Sequence, residues 1–185
     1  MEKGNQHALY HKAEQGYASA QYDFAVCYEN GTGVEKDEQK AVEWYQKAAE
    51  QGNANAQYNL GNCYKNGIGV EKYAKKAVEF YQKASEQGNT YAQYSLGAFY
   101  QHGIGVERDV EKAVKLYQKA AEQGHANAQY KLGHCYQNGI GVEKNTKKAV
   151  ELYQKAADQG YADAQRYLAG GKIMHWVSMM SDSLV

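Results

Sequence analysis

The sequence lacks proline altogether, has only three cysteines in 185 residues, and carries no excess of either charge, with 21 basic and 21 acidic side chains. No apolar stretch approaches the roughly 20 residues that a membrane-spanning helix needs, which excludes a membrane-spanning protein. The first residues contain no apolar signal region, so we expect a cytoplasmic protein. Without a basic block, the chain has no electrostatic footprint for nucleic acid or acidic lipid.

A mean hydropathy of −0.80 would be typical of a disordered chain. Disordered chains combine low hydropathy with high net charge and few aromatic residues, whereas this chain is neutral and 12% aromatic, with 18 tyrosines. We therefore expect it to fold, and its length fits one ordinary domain. Nineteen glycines without a single proline are the feature that needs an explanation.

Most of these glycines belong to a repeat. Sixteen of the nineteen recur in a 36-residue register, as do twelve of the tyrosines, and periods of this size indicate stacked supersecondary units. In the second copy, the apolar spacing predicts an amphipathic helix A over 53–66 and a helix B over 73–87, joined by a glycine-containing corner. One such hairpin cannot bury its apolar face alone, so the hairpins must stack into a solenoid.

The register sets the predicted boundaries. They are a partial repeat with helix B only at 1–16, four repeats at 17–52, 53–88, 89–124 and 125–160, a partial helix A at 161–169, and a non-repeat tail at 170–185. The apolar stretch at 173–180 is either a cap lying on the last helix B or an unrelated end.

Two positions carry local predictions. Gly61 lies inside helix A, where glycine costs about 1 kcal/mol relative to alanine, so we expect the backbones of helices A and B to approach closely there. Tyr73 occupies the predicted N-cap of helix B, where the other copies have Asp37, Asp109 and Asn145. Replacing Tyr73 with aspartate is therefore expected to raise the melting temperature.

The second copy also carries a recognisable pattern. Its residues are Ala56, Leu60, Gly61, Tyr64, Gly67, Gly69, Val70, Lys76, Ala77, Tyr81, Lys83, Ala84 and Gly88. This pattern, which extends over residues 8–169, resembles the Sel-one-like repeat (SLR) family, a branch of the tetratricopeptide-like helical repeats. The resemblance implies an all-α, right-handed superhelical solenoid of antiparallel hairpins that binds other proteins without catalysis of its own.

Comparing the four copies with one another separates the positions that the fold demands from those it leaves free. On helix A the free positions are spaced 0, 4, 7 and 11 and so share one face, which lines a concave groove if the hairpins form a superhelix. The candidate partner-binding residues are Asn55, Asn59, Asn62, Asn66, Tyr91, Ser95, His102, Asn127, Lys131, His134 and Asn138. Asparagine amides suit the main chain of an extended peptide, Tyr91 offers an anchor, and Lys131 suits a carboxylate. The alternative is that asparagine is simply tolerated on a solvated surface.

Two other kinds of chemistry are set aside. Cys27, Cys63 and Cys135 share a helix A position that holds Phe99 in the third copy, so we expect buried free thiols and no disulfide. His7 and His11 have the spacing of a metal pair but no third ligand nearby, so no metal or other cofactor is predicted.

Together these features predict a monomeric, non-catalytic adaptor for a protein or peptide partner, with no nucleic-acid binding and no membrane insertion. Two alternatives belong to other classes. One is a regulatory repeat segment of a larger signalling protein, such as a repeat-bearing kinase. The other is a secreted hydrolase of the family's cysteine-rich branch, against which the unpaired cysteines argue.

Overall fold

The computed structural model describes the backbone of residues 3–170 and the side chains of residues 7–170. This range contains helices joined by short loops and no strand, so the predicted all-α helical repeat solenoid is confirmed. The helices are α1 (Lys3–Glu14), α2 (Ala18–Asn30), α3 (Glu38–Glu50), α4 (Ala54–Asn66), α5 (Ala74–Glu86), α6 (Thr90–His102), α7 (Val110–Glu122), α8 (Ala126–Asn138) and α9 (Thr146–Asp158). A further helical stretch, α10, covers residues 162–170.

The helices form two compact units, in which residues 3–108 and 109–170 are described. In the first unit, α1 to α6 pack in chain order, each against the next. In the second unit, α7 packs on α8 and α8 on α9. Even-numbered helices are the predicted A helices and odd-numbered ones the B helices. None of the described helices is long and apolar enough to cross a lipid bilayer.

Tyrosine and alanine make up much of the core. Tyr45, Tyr81, Tyr117 and Tyr153, one on each B helix from α3 to α9, are at most 1% exposed. Alanines on both sides of these rings are also buried, which lets neighbouring helices approach closely. The core therefore depends on residues that score poorly on hydropathy scales, which reconciles the low mean hydropathy with a folded chain.

The corner glycines have two different tasks. Gly67 ends α4 in the left-handed conformation, with φ of 76°, and its N–H donates to the carbonyl of Cys63. Gly105 lies against the previous copy, because a β-carbon added there would come within 2.6 Å of the Ala74 carbonyl carbon. The second glycine of that corner is thus a close contact between copies as well as a turn residue.

The predicted N-caps of the B helices are confirmed. Asp37, Asp109 and Asn145 accept hydrogen bonds from the backbone N–H groups of Lys40, Lys112 and Lys148. Tyr73 has nearly the same backbone angles as Asp37 but makes no capping bond. Helix α5 thus begins without the side-chain cap that the other three helices have.

The close approach predicted at Gly61 exists, but its partner at that position is different. A β-carbon at Gly61 would lie 2.6 Å from Cε1 of Tyr81, which is a side-chain atom of α5. At the equivalent Gly133, both the Tyr153 ring and the carbonyl of Ala149 are near. The close approach thus involves the buried tyrosine ring at both positions, and at Gly133 it also involves the backbone of α9, 3.2 Å from the added β-carbon.

Buried glutamines tie successive hairpins together. The Nε2 group of Gln57 on α4 donates to the carbonyl of Ala49 at the end of α3, and its Oε1 accepts from Gln87 after α5. The same pair of bonds occurs at Gln21 with Ala13 and Gln51, and at Gln129 with Ala121 and Gln159. Because these amides are buried, each lost bond leaves an unsatisfied polar group that costs about 1–3 kcal/mol.

The predicted tail at 170–185 begins at the last described residue. Both interpretations of the 173–180 stretch, a cap on the last helix B or an unrelated end, concern residues outside the described range.

Candidate partner-binding face

On each A helix the candidate residues share one side of that helix, and these sides are called the A-helix face. In the first unit it consists of α2, α4 and α6, and in the second unit of α8. The exposed members are Asn55, Asn66, Tyr91, His102, His134 and Asn138, and the half-buried members are Asn59, Asn62, Ser95, Asn127 and Lys131. Every predicted residue is thus at the surface, although to different degrees.

Asn59 and Asn62 also serve the core. A buried tyrosine needs a hydrogen-bond partner for its hydroxyl. The Tyr81 hydroxyl donates to Asn62 Oδ1 at 2.7 Å, and Asn59 Nδ2 donates to the Tyr45 hydroxyl at 2.9 Å. The interpretation of all four asparagines on α4 as free positions is therefore corrected for these two, each of which satisfies a buried phenol.

The outer asparagine on α4 meets the next copy. Asn89 donates from Nδ2 to Asn55 Oδ1 at 3.0 Å, while its own Oδ1 caps α6 at Ala92. This bond leaves the Asn55 amide nitrogen available for a further hydrogen bond. Asn138 on α8, in contrast, bonds the carbonyl of His134 on its own helix.

Tyr91 is the most accessible aromatic residue among the predicted positions, with 59% of its surface exposed. Its ring centroid lies 5.8 Å from that of Tyr58, which lies 5.9 Å from that of buried Tyr81. The three rings thus form a row from the core of the first unit to its surface. One side of Tyr91 packs against Tyr58, and its exposed surface is available to a ligand.

The comparison of the four copies did not identify one further position on the A-helix face, that of Glu29. The Tyr45 hydroxyl donates to Glu29 Oε2 at 2.6 Å, and the Tyr153 hydroxyl donates to Gln137 Oε1 at 2.7 Å. The equivalent residues in the four copies are Glu29, Lys65, Gln101 and Gln137. Their variation at a fixed spacing was a visible signal that this position, too, is free to differ.

Burial sets the protonation of the tyrosines beneath the face. Desolvation raises the pKa of Tyr45, and the nearby Glu29 carboxylate raises it further. Burial likewise raises the pKa values of Tyr81 and Tyr153. These phenols therefore stay protonated at neutral pH and act as fixed hydrogen-bond donors.

The second unit places a cation on its part of the face. Lys131 is half-buried on α8, and His134 lies exposed one turn away. In the same unit the rings of Tyr130 and Tyr153 lie 5.4 Å apart, and that of Tyr161 lies 5.0 Å from Tyr130. Helix α8 thus carries a positive charge in a unit that also contains this group of aromatic rings.

The three cysteines are buried free thiols, as predicted, and burial raises the pKa of Cys63 to about 12 and that of Cys135 to about 11. His7 and His11 face each other with their Nε2 atoms 3.0 Å apart. Within the described part of the chain, no three histidine, cysteine or acidic side chains are grouped as metal ligands.

Fold and surface together define an α-helical repeat protein with a polar, aromatic A-helix face. A family model described as the Sel1 repeat matches residues 18–53, 54–89, 90–125 and 126–161. The chain belongs to the Sel1 repeat family, as the resemblance implied. Sel1 repeats generally form non-catalytic scaffolds that mediate protein interactions.

Solved structures agree with this membership. The chain is similar to a protective antigen of uropathogenic Escherichia coli with an SLR fold, at 40% identity and a TM-score of 0.81, over 85% of this chain and 34% of the antigen. It is similar to a Sel1 repeat protein from Oxalobacter formigenes, at 39% identity and a TM-score of 0.78, over 85% of this chain and 63% of that protein. Helicobacter pylori cysteine rich protein B is 32% identical with a TM-score of 0.57, over 74% of this chain and 98% of that protein.

The chain therefore spans about a third of the length of the Escherichia coli antigen and less than two thirds of the Oxalobacter protein. Comparison with curated proteins gave no match.

Proposed function

We propose that the chain is a non-catalytic adaptor whose A-helix face binds an extended peptide or a loop of a protein partner. The observation that carries the proposal is Tyr91, which is 59% exposed and whose ring lies 5.8 Å from that of Tyr58 on α4, the helix that carries the four asparagines. An aromatic anchor packed on a helix with exposed amides is suited to a peptide, because amides match both the N–H and C=O groups of main chain.

The asparagines have unequal parts in this proposal. Asn55 and Asn66 are exposed and contact the ligand, whereas Asn59 and Asn62 mainly hold the tyrosine hydroxyls and shape the floor. On the second unit, considered by itself, Lys131 is suited to an acidic group by charge. The neutral composition of the whole chain favours recognition by shape and hydrogen bonds over long-range steering.

We further propose that the adaptor acts as a monomer in the cytoplasm, for which sedimentation at the chain mass of 20.7 kDa is the expected result. Of the two alternatives, the kinase segment has no described feature in its favour, whereas the cysteine-rich hydrolase has the likeness to Helicobacter pylori cysteine rich protein B. For the second, the three cysteines are free and buried.

Selection of random dodecapeptides on the immobilised protein tests the proposal. Peptides recovered on the wild type should lose binding when Tyr91 and Lys131 are both replaced by serine. The matched control replaces Tyr73 and Lys147, an exposed tyrosine and lysine outside the A-helix face, and should leave binding unchanged. Undiminished binding by the Tyr91/Lys131 variant, or the absence of any selected peptide, would refute the proposal.

A further inference from the structure

The seam between α2 and α4 contains a carboxylate that the core holds in place. Tyr45 on α3 is fully buried, and its hydroxyl donates to Glu29 Oε2 on α2 at 2.6 Å. The same hydroxyl accepts from Asn59 Nδ2 on α4 at 2.9 Å. One core residue thus fixes a carboxylate on one A helix beside an amide on the next, and Glu29 is presented in a defined orientation.

The negative charge of Glu29 exceeds what the fold requires. The equivalent residue on α8 is Gln137, which accepts from the Tyr153 hydroxyl at 2.7 Å. A neutral amide therefore satisfies the buried phenol as well as a carboxylate does. The structural role explains a hydrogen-bond acceptor at this position but not a charge.

No cation of the described chain neutralises this charge. The ion pairs given for the described residues, such as Lys36 with Glu38 and Lys40 with Asp37, do not involve Glu29. Glu29 is half-buried, so water screens its carboxylate less than that of a fully exposed residue. A cation brought by a partner would therefore gain more here than at an ordinary surface acid.

The surroundings extend the negative region and add a flat surface. Asp23 lies exposed on the same helix. Burial raises the pKa of the Tyr22 phenol, and the charges of Asp23 and Glu29 raise it further. The half-buried Tyr22 ring, 5.9 Å from that of Tyr45, offers a face for an aliphatic stem or a guanidinium plane.

We infer that the segment bound on the A-helix face carries a lysine or arginine that lies at the seam between α2 and α4, with its charge on Glu29 and its stem on Tyr22. This inference rests on the proposed function and adds the chemical character of the partner. It also makes Glu29 a specificity-determining residue, because the other copies have no acid at this position.

A dodecapeptide phage library, selected on the wild type and on Glu29→Gln, provides the test. The variant keeps an acceptor for Tyr45, as Gln137 does for Tyr153, so its melting curve should match that of the wild type. The charge-matched control is Glu43→Gln, which removes an exposed acid of α3 outside the face.

Peptides from the wild type should share a lysine or arginine at one position and bind Glu29→Gln about fivefold to tenfold more weakly. Replacing that basic residue of the peptide by glutamine should weaken its binding to the wild type by the same factor and should leave its binding to Glu29→Gln unchanged. A double-mutant cycle then assigns the coupling to this pair of residues. The Glu43→Gln control should bind as the wild type does.

Selected peptides without a shared basic residue, or with one that is not coupled to Glu29, would overturn the inference and leave the proposed function standing. If no peptide is selected on the wild type, both are refuted. The two failures are therefore distinguishable in one experiment.

Discussion

Replacing Tyr73 by aspartate should stabilise the protein, because it supplies the cap that α5 lacks. Tyr73 has φ and ψ of −145° and 97°, against −148° and 101° at Asp37, so the backbone already has the capping conformation. An aspartate there can accept from the N–H three residues on, as Asp109 does at 2.8 Å. The α5 helix also has no acidic residue in its first turn, so the new charge would complement the helix dipole.

The size of the effect follows from these two contributions. A cap contributes about 1 kcal/mol, and the dipole adds a few tenths of a kcal/mol at an exposed site. Tyr73 is 49% exposed, so its removal forfeits some contact, and Tyr73→Ala measures that loss alone. For a chain of this length, about 1 kcal/mol corresponds to about 2–4 °C in melting temperature.

Thermal unfolding followed by circular dichroism is the assay. Tyr73→Asp should melt above the wild type and at least about 2 °C above Tyr73→Ala. The converse variant, Asp109→Ala, should melt below the wild type. If Tyr73→Asp melts no higher than the wild type, the assignment of residue 73 as an N-cap that needs a side-chain acceptor is refuted.

Three further predictions concern the core and caps. Burial lowers the pKa of His125, whose Nδ1 accepts from the N–H three residues on and caps α8. The stability that this neutral cap contributes is therefore complete above the ordinary histidine pKa of 6.5 and is lost as the pH falls through the lowered pKa of the folded state. The wild type should lose stability between pH 7.5 and pH 5.5, and His125→Asn, whose cap does not titrate, should reduce that loss by up to about 1 kcal/mol. Thermal melts at the two pH values measure the difference, and the same loss in both proteins would contradict a neutral histidine cap. Gly61→Ala should destabilise the protein by about 1–3 kcal/mol, because the new β-carbon overlaps the Tyr81 ring. The loss should exceed that of Gly133→Ala, where the Tyr153 ring is 3.0 Å from the added β-carbon. Equal denaturation midpoints for the two variants would contradict this reasoning. A thiol reagent at pH 8 should label the native protein slowly and the unfolded protein at all three cysteines, whereas rapid native labelling would contradict their burial.

Regular features of the repeat were predictable from sequence because the residues that cause them recur at equivalent positions in several copies. The positions of the helices follow from apolar spacing, and the N-caps follow from Asp37, Asp109 and Asn145 at equivalent places. Recurrence of the Ala–Gln pairs was equally visible. The hydrogen bonds of Gln57 were not, because they depend on how the ends of two other helices approach its amide.

The candidate site was less predictable, because variation between copies does not separate solvent contact from core contact. Asn59 and Asn62 vary between copies, yet each bonds a buried tyrosine hydroxyl that reaches the A-helix face from below. Glu29 varies as well and was overlooked, although it accepts from Tyr45 in the same seam. Which side chain receives a buried hydroxyl depends on three-dimensional distances that no spacing in one helix encodes.

Chemical-shift mapping of a bound peptide tests the central claim most directly. The chain has a mass of 20.7 kDa, and each asparagine side chain gives its own amide signals in a nitrogen-15 spectrum. With a peptide selected on the wild type, we expect the largest shifts at Asn55, Asn66 and Tyr91 and none at Tyr73. Shifts confined to the B helices, with those asparagine signals unmoved, would contradict the account.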